Sequence, residues 1–497
     1  MAPVPEQEGL GLGDTARRSE DDAEEAEDDA DEEKEEAVEA DANAPSHLPL
    51  APHPDSEILD ATTTVDPSYI IFLIRQLLPY DSNVEKQSKV ADSDMQKNLG
   101  KGESNVELDD RKPSTEDTRE PQEDCGCILW DLAATESHAE LMVQNLILEV
   151  LVTSLHASRS FRLKEICLGI IGNLACHKNL SSTIVSTNGL IQIIVDQLFQ
   201  DDSVCLSETF RLLSVSLQSS SSVTWAEALL HDQILLRILW IIGNTLNMTL
   251  LEKSIEFLLT IIQHEEVEAV LLQPLVKFGL PNLVLSLLES EFNQLKENKL
   301  ERLAVFDLVL QVVEALSTAD NCFDLITSNN HIFHLACEVV KLSHKIEVDS
   351  LCASAVVILA NILVDQRNLV LSIANDFQFL QGLLDALPFV SIDSTARSAL
   401  WSILQRVLCL TEGNDDGSLD LHRLTLLLLD KHFLIVNDID SHASDDFGGD
   451  EGKEFVIASG KRIASILEKW KERDPSSTEN YDGKAQKLLD CCRKSCF

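Results

Sequence analysis

The stretch from Phe161 to Leu198 constrains the fold more than any other part of this 497-residue chain. It reads FRLKEICLGIIGNLACHKNLSSTIVSTNGLIQIIVDQL, which is a long amphipathic helix, a short polar turn and a second apolar helix opened by Asn188-Gly189. This pattern is typical of one unit of an armadillo-type helical repeat. Because such a unit cannot bury its apolar faces alone, it must stack on neighbouring units. We therefore predict an all-α fold, an armadillo/HEAT-like right-handed superhelical solenoid.

Similar helical sequences recur along the chain and indicate an array of repeats. Segments resembling the third helix of a repeat lie at 207–217, 236–246, 305–317, 352–363 and 396–408, with several gaps near 40–46 residues, the period of armadillo and HEAT units. In the first such helix, apolar residues keep the +3, +4 spacing from Leu163 to Ala175. Gly169 and Gly172 each weaken that helix by about 1 kcal/mol relative to alanine. We expect this cost to be offset by the close approach of a neighbouring helix.

Changes in composition divide the chain into segments. Residues 20–41 hold 15 acidic residues against the single Lys34, so this tract buries too little apolar area to fold. The predicted segments are, in order, a disordered acidic tail at 1–66, a short isolated helix at 67–79, a disordered linker at 80–123, the armadillo-like repeat domain at 125–475 with an acidic loop at 437–453, and a C-terminal tail at 476–497. The helix at 67–79 is predicted to dock either onto the repeats or onto a partner.

The charge of the chain restricts its partners. The formal net charge is −45, and residues 125–497 alone carry −21, so the acidity is not confined to the tail. Such a surface repels phosphate backbones, which argues against direct nucleic-acid binding and favours a protein partner with a basic segment. The start of the chain lacks the pattern of a secretory signal, and no apolar run reaches about 18 residues, so no membrane contact is expected. The 12 cysteines show no disulfide-framework spacing, which predicts free thiols in a reducing compartment.

The sequence offers little support for catalysis or for a cofactor. His331, His334 and Cys337 have a helical spacing that suits metal ligands, but no fourth ligand is near and apolar residues stand between them, so a packed helix is favoured. Phosphate-binding glycine loops, G-x-S-x-G and H-E-x-x-H are absent from the sequence. We therefore expect a non-enzymatic protein with no metal and no cofactor.

A series of amides and indoles predicts a peptide-binding groove. The predicted residues are Asn173, Trp240, Asn244, Asn361, Trp401 and Gln405. Trp240 precedes Asn244 by four residues, and Trp401 precedes Gln405 in the same way, so each pair shares a helix face. In armadillo proteins that hold extended peptides, the amide pairs with the peptide backbone and the indole packs against Lys or Arg stems. The alternative is that these amides satisfy buried backbone groups between repeats.

Several elements go beyond generic repeats. They are Cys127-Ile-Leu-Trp130-Asp131-Leu132, then LKEICLGIIGNLAC at 163–176, Glu208-Thr-Phe-Arg211-Leu-Leu213 and Val223-Thr-Trp225. In this order and spacing, across roughly 125–230, they resemble the serum amyloid A-like 1 protein family, as a plant-like or otherwise divergent member. The resemblance implies an armadillo-type, non-enzymatic and nuclear protein, linked in animal members to cell proliferation. The segment 1–124 and the acidic loop at 437–453 depart from the family pattern.

Two functional hypotheses follow from these features. The first is a nuclear or nucleocytoplasmic scaffold for protein–protein interaction that holds its partner in the groove of the repeats. The second is an acidic chaperone, or a binder of histones and other basic proteins, that acts through the tract at 20–41. Deleting residues 1–60 separates them, because tail-driven binding would be lost and would fall steeply with salt.

Overall fold

The recurring helical segments form a row of stacked helices in the computed structural model. The structure describes residues 65–78, 119–297, 300–319, 322–342, 349–364, 366–410, 420–441, 450–473 and 481–494, all within one unit that runs from Thr64 to Phe497. The predicted acidic tail, apart from its last two residues, and most of the predicted linker lie outside the described residues.

Twenty-five α-helices form in these described ranges, and strands do not occur in them. They are α1 (Pro67–Gln76), α2 (Arg119–Leu132), α3 (Glu136–Gln144), α4 (Ile147–Ala157), α5 (Phe161–Ala175), α6 (Ser181–Ser186), α7 (Leu190–Asp196), α8 (Ser203–Leu217), α9 (Ser222–Leu229), α10 (Asp232–Asn244), α11 (Met248–Gln263), α12 (Glu265–Lys277), α13 (Leu280–Lys296), α14 (Leu303–Thr318), α15 (Phe323–Thr327), α16 (Asn330–Leu342), α17 (Asp349–Ile362), α18 (Arg367–Ala374), α19 (Phe377–Asp385), α20 (Leu387–Val390), α21 (Ser394–Cys409), α22 (Leu421–Asp430), α23 (His432–Ser441), α24 (Asp450–Arg473) and α25 (Asp482–Lys494). The all-α prediction is confirmed.

One set of helices runs through the whole array. Each of α2, α5, α8, α11, α14, α17, α21 and α24 packs on the next, and we call these eight the ladder helices. Two further helices precede each later ladder helix, except α21, which three helices precede, so most repeats have the three helices of an armadillo unit. The starts of successive ladder helices lie 42 to 56 residues apart. The predicted solenoid of armadillo type is therefore the architecture of the chain.

Side-chain caps fix where several ladder helices begin. Ser160 caps α5, Asp202 caps α8, Asn247 caps α11 and Asp393 caps α21, each accepting a hydrogen bond from a backbone N–H of the first turn at 2.9–3.2 Å. Each cap contributes about 0.5–2 kcal/mol to its helix. The predicted opening of α7 is also present, since Gly189 there has a φ of 77°, a left-handed conformation that glycine adopts without strain.

The two glycines of α5 provide the close helix approach that the sequence predicts. A Cβ atom on Gly169 would lie 2.1 Å from the Trp130 ring of α2, and one on Gly172 would lie 2.6 Å from the Arg211 guanidinium of α8. The glycines therefore seat one large side chain from each neighbouring ladder helix. This prediction is confirmed.

The first helix of the chain is not isolated. It ends at Gln76, packs on α2 and α3, and buries Ile70, Leu73 and Ile74. The hydroxyl of Ser154 donates a hydrogen bond to the Leu77 carbonyl at 2.9 Å. Of the two docking possibilities, the structure shows the one on the repeats, and α1 covers the first end of the ladder.

Three predicted boundaries need correction. Helix α2 begins at residue 119, inside the predicted linker at 80–123. The predicted loop at 437–453 is narrower, because α23 extends to Ser441 and α24 starts at Asp450. The predicted tail at 476–497 contains α25, which packs on α23 and α24. Buried apolar residues account for the last of these corrections, because Leu488, Leu489 and Cys492 dock a segment whose polar composition suggested a tail.

One pair of the described helices has the length and apolar composition of a membrane span. Among the described residues no single helix is long and apolar enough to cross a membrane, and only α12 and α13 taken together, bent by 79°, have sufficient length and composition.

Candidate peptide-binding face

Several of the ladder helices expose polar side chains, and we call the surface that these side chains form the ladder face. On α5, α8 and α11 this face includes pairs of opposite charge three residues apart, and the predicted Glu208–Arg211 pair is one of them at 2.8 Å. The other two are Arg162–Glu165 and Lys253–Glu256, at 2.6 and 2.8 Å. Exposed pairs of this kind stabilise a helix by only about 0.3–0.5 kcal/mol. Their main effect is to compensate charge along this part of the face.

A cleft of about 320 Å³ opens on the ladder face between α8 and α11. Its lining residues are Arg211, Ser214, Val215, Gln218, Glu256, Leu259, Thr260 and Gln263. Val215 and Leu259 form an apolar floor, while the Gln218 and Gln263 amides stand at its end as exposed groups. An amide offers both a donor and an acceptor, so this arrangement suits the backbone of an extended peptide.

The sequence contained a signal for these two glutamines. Gln218 follows the apolar run LLSVSL and Gln263 follows LLTII, so both stand at the C-terminal end of a ladder helix. Gln218 also donates a weak hydrogen bond to the Thr260 hydroxyl at 3.4 Å. Neither glutamine has a tryptophan four residues before it, so the predicted pairing of an indole with an amide does not include them.

Helix α14 carries two carboxylates in a different setting. Asp307 accepts hydrogen bonds from Gln311 and Ser350, and Glu314 accepts one from Ser354 of α17 at 2.6 Å. Burial raises the pKa of both carboxyls. Within the parts of the chain that the structure covers, neither forms an ion pair. On the ladder face, α14 therefore carries negative charge that no described ion pair compensates.

Two of the predicted groove amides lie on ladder helices but contact neighbouring repeats. The Asn173 amide of α5 donates to the Trp130 carbonyl at 3.0 Å, and the Asn361 amide of α17 donates to the Ser317 hydroxyl at 2.9 Å. Both side chains are half-buried. This is the alternative weighed above, in which the amides join repeats. A role of their remaining polar atoms in ligand binding stays a prediction.

Trp240 and Asn244 lie on a different layer from the other predicted groove residues. They belong to α10, which packs on α11 and α13 as the second helix of its repeat, so the interpretation of 236–246 as a third helix is wrong. Trp240 is 54% exposed and stacks with Arg237 at 4.7 Å, and the Asn244 amide donates to the Trp240 carbonyl at 2.7 Å. The ladder helix of this repeat is α11, which starts after the Asn247 cap, four residues beyond Asn244.

Trp401 is not available to any ligand. Its side chain is 0% exposed, and its indole N–H donates to the Asp438 carboxylate of α23 at 2.9 Å. The prediction that it lines the groove is therefore wrong, because the indole faces the core and satisfies a buried charge. Gln405, four residues later on α21, is half-buried and lines a second cleft with Lys461 of α24.

The metal candidates do not form a site. His331 and His334 are exposed on α16, whereas Cys337 is buried there. Within the described ranges, groups of three or more side chains that could hold a metal ion do not occur. Burial raises the pKa of the Cys337 thiol to about 12, and that of Cys167 likewise, so these thiols stay protonated and behave as small apolar groups. Cys491 and Cys492, placed in a predicted tail, are also buried.

Comparison with curated proteins confirms the family resemblance over part of the chain. Protein SAAL1 of Homo sapiens is 32% identical over 147 residues, which is 29% of this chain and 31% of that protein. The Mus musculus protein is 25% identical over 219 residues, covering 41% of this chain and 46% of its own length, and the Danio rerio protein is 30% identical over 155 residues, covering 31% and 33%. The matched stretch thus spans 31–46% of the length of these relatives. No protein-family model matches the chain.

Comparison with solved structures returns helical repeat proteins of low identity. An engineered protein aligns with 86% of this chain and 99% of its own at 14% identity and a TM-score of 0.49. A designed armadillo repeat protein, solved in complex with a (KR)4 peptide, aligns with 59% of this chain and 99% of its own at 11% identity and a TM-score of 0.41. These scores are too low to support an inference, and the fold assignment rests on the packing of the ladder helices.

Proposed function

We propose that this armadillo-type solenoid, which resembles the SAAL1 proteins over its first repeats, is a scaffold that binds an extended basic segment of a partner protein on its ladder face. The observation that supports this most is the cleft between α8 and α11, which combines an apolar floor with two exposed amides. Glu256 lies at its wall, and Asp307 and Glu314 lie on the next ladder helix. A Lys or Arg side chain is the natural complement of these carboxylates.

The test is the affinity of basic peptides for variants of the full chain. Replacing Gln218 and Gln263 together by alanine should weaken binding by about tenfold, since each lost hydrogen bond contributes about 0.5–1.5 kcal/mol. The matched control is Asn244→Ala, which removes an exposed amide from α10, off the ladder face. It should leave the affinity unchanged. If Asn244→Ala weakens binding as much as the double glutamine variant does, the proposal is wrong. It is also wrong if basic peptides do not bind the parent chain.

The second candidate function uses the acidic tract at 20–41, which lies outside the described residues. Its 15 acidic residues against one lysine favour binding of histones or other basic proteins by charge alone. Deletion of residues 1–60 distinguishes the two functions. Ladder-face binding should survive the deletion with its affinity intact, whereas tail binding should disappear.

The family resemblance contributes two further parts of the proposal. We carry over a nuclear location and a non-enzymatic role linked to proliferation. Imaging of a tagged full-length chain in its own cells tests the location, and a cytoplasmic signal excluded from the nucleus would reject it. The net charge of −45 further supports a protein partner over direct contact with nucleic acid.

A further inference from the structure

The ladder face changes sign along its length. On α11 and α14, the carboxylates of Glu252, Glu256, Asp307 and Glu314 are opposed by the single cation of Lys253. The next ladder helix, α17, has no charged residue between positions 350 and 362. The acidic part of the face therefore ends at α14 and is followed by a neutral step.

The last two ladder helices, α21 and α24, form the basic end of the ladder. Between α21 and α24 lies a cleft of about 520 Å³, lined by Gln405, Glu454, Phe455, Ile457, Ala458, Lys461 and Arg462. Lys461 is exposed, as is Lys453 two turns earlier on α24, and neither forms an ion pair with any residue that the structure describes. Among the described residues that line this cleft, Glu454 is the one carboxylate. In a chain with a net charge of −45, a cleft with a surplus of cations is unusual.

The same cleft also offers apolar surface. Phe455, Ile457 and Ala458 are half-buried and lie beside the cations, and Gln405 adds an amide from α21. A carboxylate ligand alone would use only the cations. The combination suits an acidic side chain of a peptide together with an aliphatic neighbour, with the Gln405 amide beside the peptide backbone.

We infer that the partner segment has segregated charges, with basic residues over α11 and α14 and acidic residues with an aliphatic neighbour in the cleft between α21 and α24. This inference rests on the proposed function and names the chemistry of its partner. Three ladder steps separate α14 from α24, and packed helices lie about 8–10 Å apart. The two charged groups must therefore be separated by about 24–30 Å. At about 3.3 Å per extended residue, this corresponds to about eight residues between them.

The experiment measures fluorescence anisotropy of labelled peptides on the full chain. One peptide has two lysines and two glutamates separated by eight neutral residues, and it is made in both chain directions. A second replaces its glutamates by glutamine, and a third keeps all four charges but shortens the separation to two residues, with neutral residues added outside. In its better direction, the first peptide should bind at least tenfold more tightly than either other peptide. That factor corresponds to about 1.4 kcal/mol.

Charge reversal locates the effect on the structure. The double variant Lys453→Glu, Lys461→Glu should abolish the preference for the glutamate peptide while changing the affinity of the glutamine peptide less than threefold. The matched control reverses Lys487 and Lys494, two exposed lysines on α25, and imposes the same change of net charge. It should retain the preference. Far-UV circular dichroism melting of both doubles confirms that they are folded.

The outcomes separate this inference from the proposed function. If the glutamine peptide binds as tightly as the glutamate peptide, or if the α25 control loses the preference as fully as the α24 double, charge segregation is wrong and the scaffold function stands. If none of the peptides binds the parent chain, both fail. If the peptide with only two residues between its lysines and glutamates binds as tightly as the first peptide, the two charged groups do not bind at α14 and α24, three ladder helices apart.

Discussion

Two glycines three residues apart in α5 should respond to alanine in opposite directions. A Cβ at position 169 would lie 2.1, 2.2 and 2.6 Å from three ring atoms of Trp130, a rigid group seated between two ladder helices. A Cβ at position 172 would lie 2.6 Å from the end of the Arg211 side chain, which is flexible and can move aside. Alanine adds about 1 kcal/mol of helix propensity at either site.

Whether each substitution stabilises or destabilises the chain depends on the steric cost of the new Cβ relative to the gain in helix propensity. Overpacking a core typically costs about 1–3 kcal/mol, so Gly169→Ala should destabilise the chain by up to about 2 kcal/mol after the propensity gain. Gly172→Ala should be neutral or stabilising by up to about 1 kcal/mol, because only a side-chain end must shift. Urea unfolding is the assay, combined with hydrogen exchange of the α5 amides, since repeat arrays can open locally.

The cause of the Gly169 effect is checked by a double-mutant cycle. With Trp130→Ala the ring is absent, and the further change Gly169→Ala should then be stabilising, which gives a coupling of at least about 1 kcal/mol. Two results would refute the reasoning. One is a Gly169→Ala variant at least as stable as Gly172→Ala, and the other is additivity of the Trp130 and Gly169 changes.

Three further predictions concern the buried polar groups and the thiols. Asp438→Ala should lower the free energy of unfolding, measured with urea, by about 3–5 kcal/mol, because it leaves the half-buried Arg397 guanidinium without its carboxylate. A loss below about 1 kcal/mol would contradict the importance of this ion pair. Burial raises the pKa of Asp307 and Glu314, so the folded chain holds these protons longer than the unfolded chain. Their contribution to stability is greatest below the ordinary values of 3.8 and 4.5 and falls as pH rises through the raised values. Unfolding at a series of pH values should show the double variant Asp307→Asn, Glu314→Gln gaining stability relative to the parent as pH rises through this window, and a constant difference would contradict it. In the folded chain, alkylation followed by mass spectrometry should leave Cys167 unmodified, with its thiol pKa at about 12. Among the thiols that the structure describes, the exposed Cys176 and Cys409 should react first, and early labelling of Cys167 would contradict its burial.

The repeat architecture was predictable because it depends on local signals. Apolar spacing of +3 and +4 specifies a helix with one buried stripe, and the glycines at 169 and 172 already indicated close neighbours. The ends of the array were harder to predict. The segment at 482–494 is rich in lysine and aspartate, yet α25 packs on α23 and α24 through five buried residues, which are Ala485, Leu488, Leu489, Cys491 and Cys492. Composition averaged over such a segment hides these well-placed apolar residues.

The binding face could not be derived from the sequence, because the layer of a helix is set by contacts about 40 residues away. WIIGN in α10 and GIIGN in α5 read almost identically, but α5 packs between two other ladder helices while α10 packs on α11 and α13. The same asparagine therefore contacts a neighbouring repeat in α5 and only its own helix in α10. Cap residues do not provide the missing information, because His231 caps α10 and Asp376 caps α19, just as Ser160 caps the ladder helix α5. The ladder helix α14, in turn, begins without a side-chain cap. Only the packing partners of a helix, which are remote in the sequence, assign it to a layer, and they place the glutamines at 218 and 263 on ladder helices and Trp240 on α10.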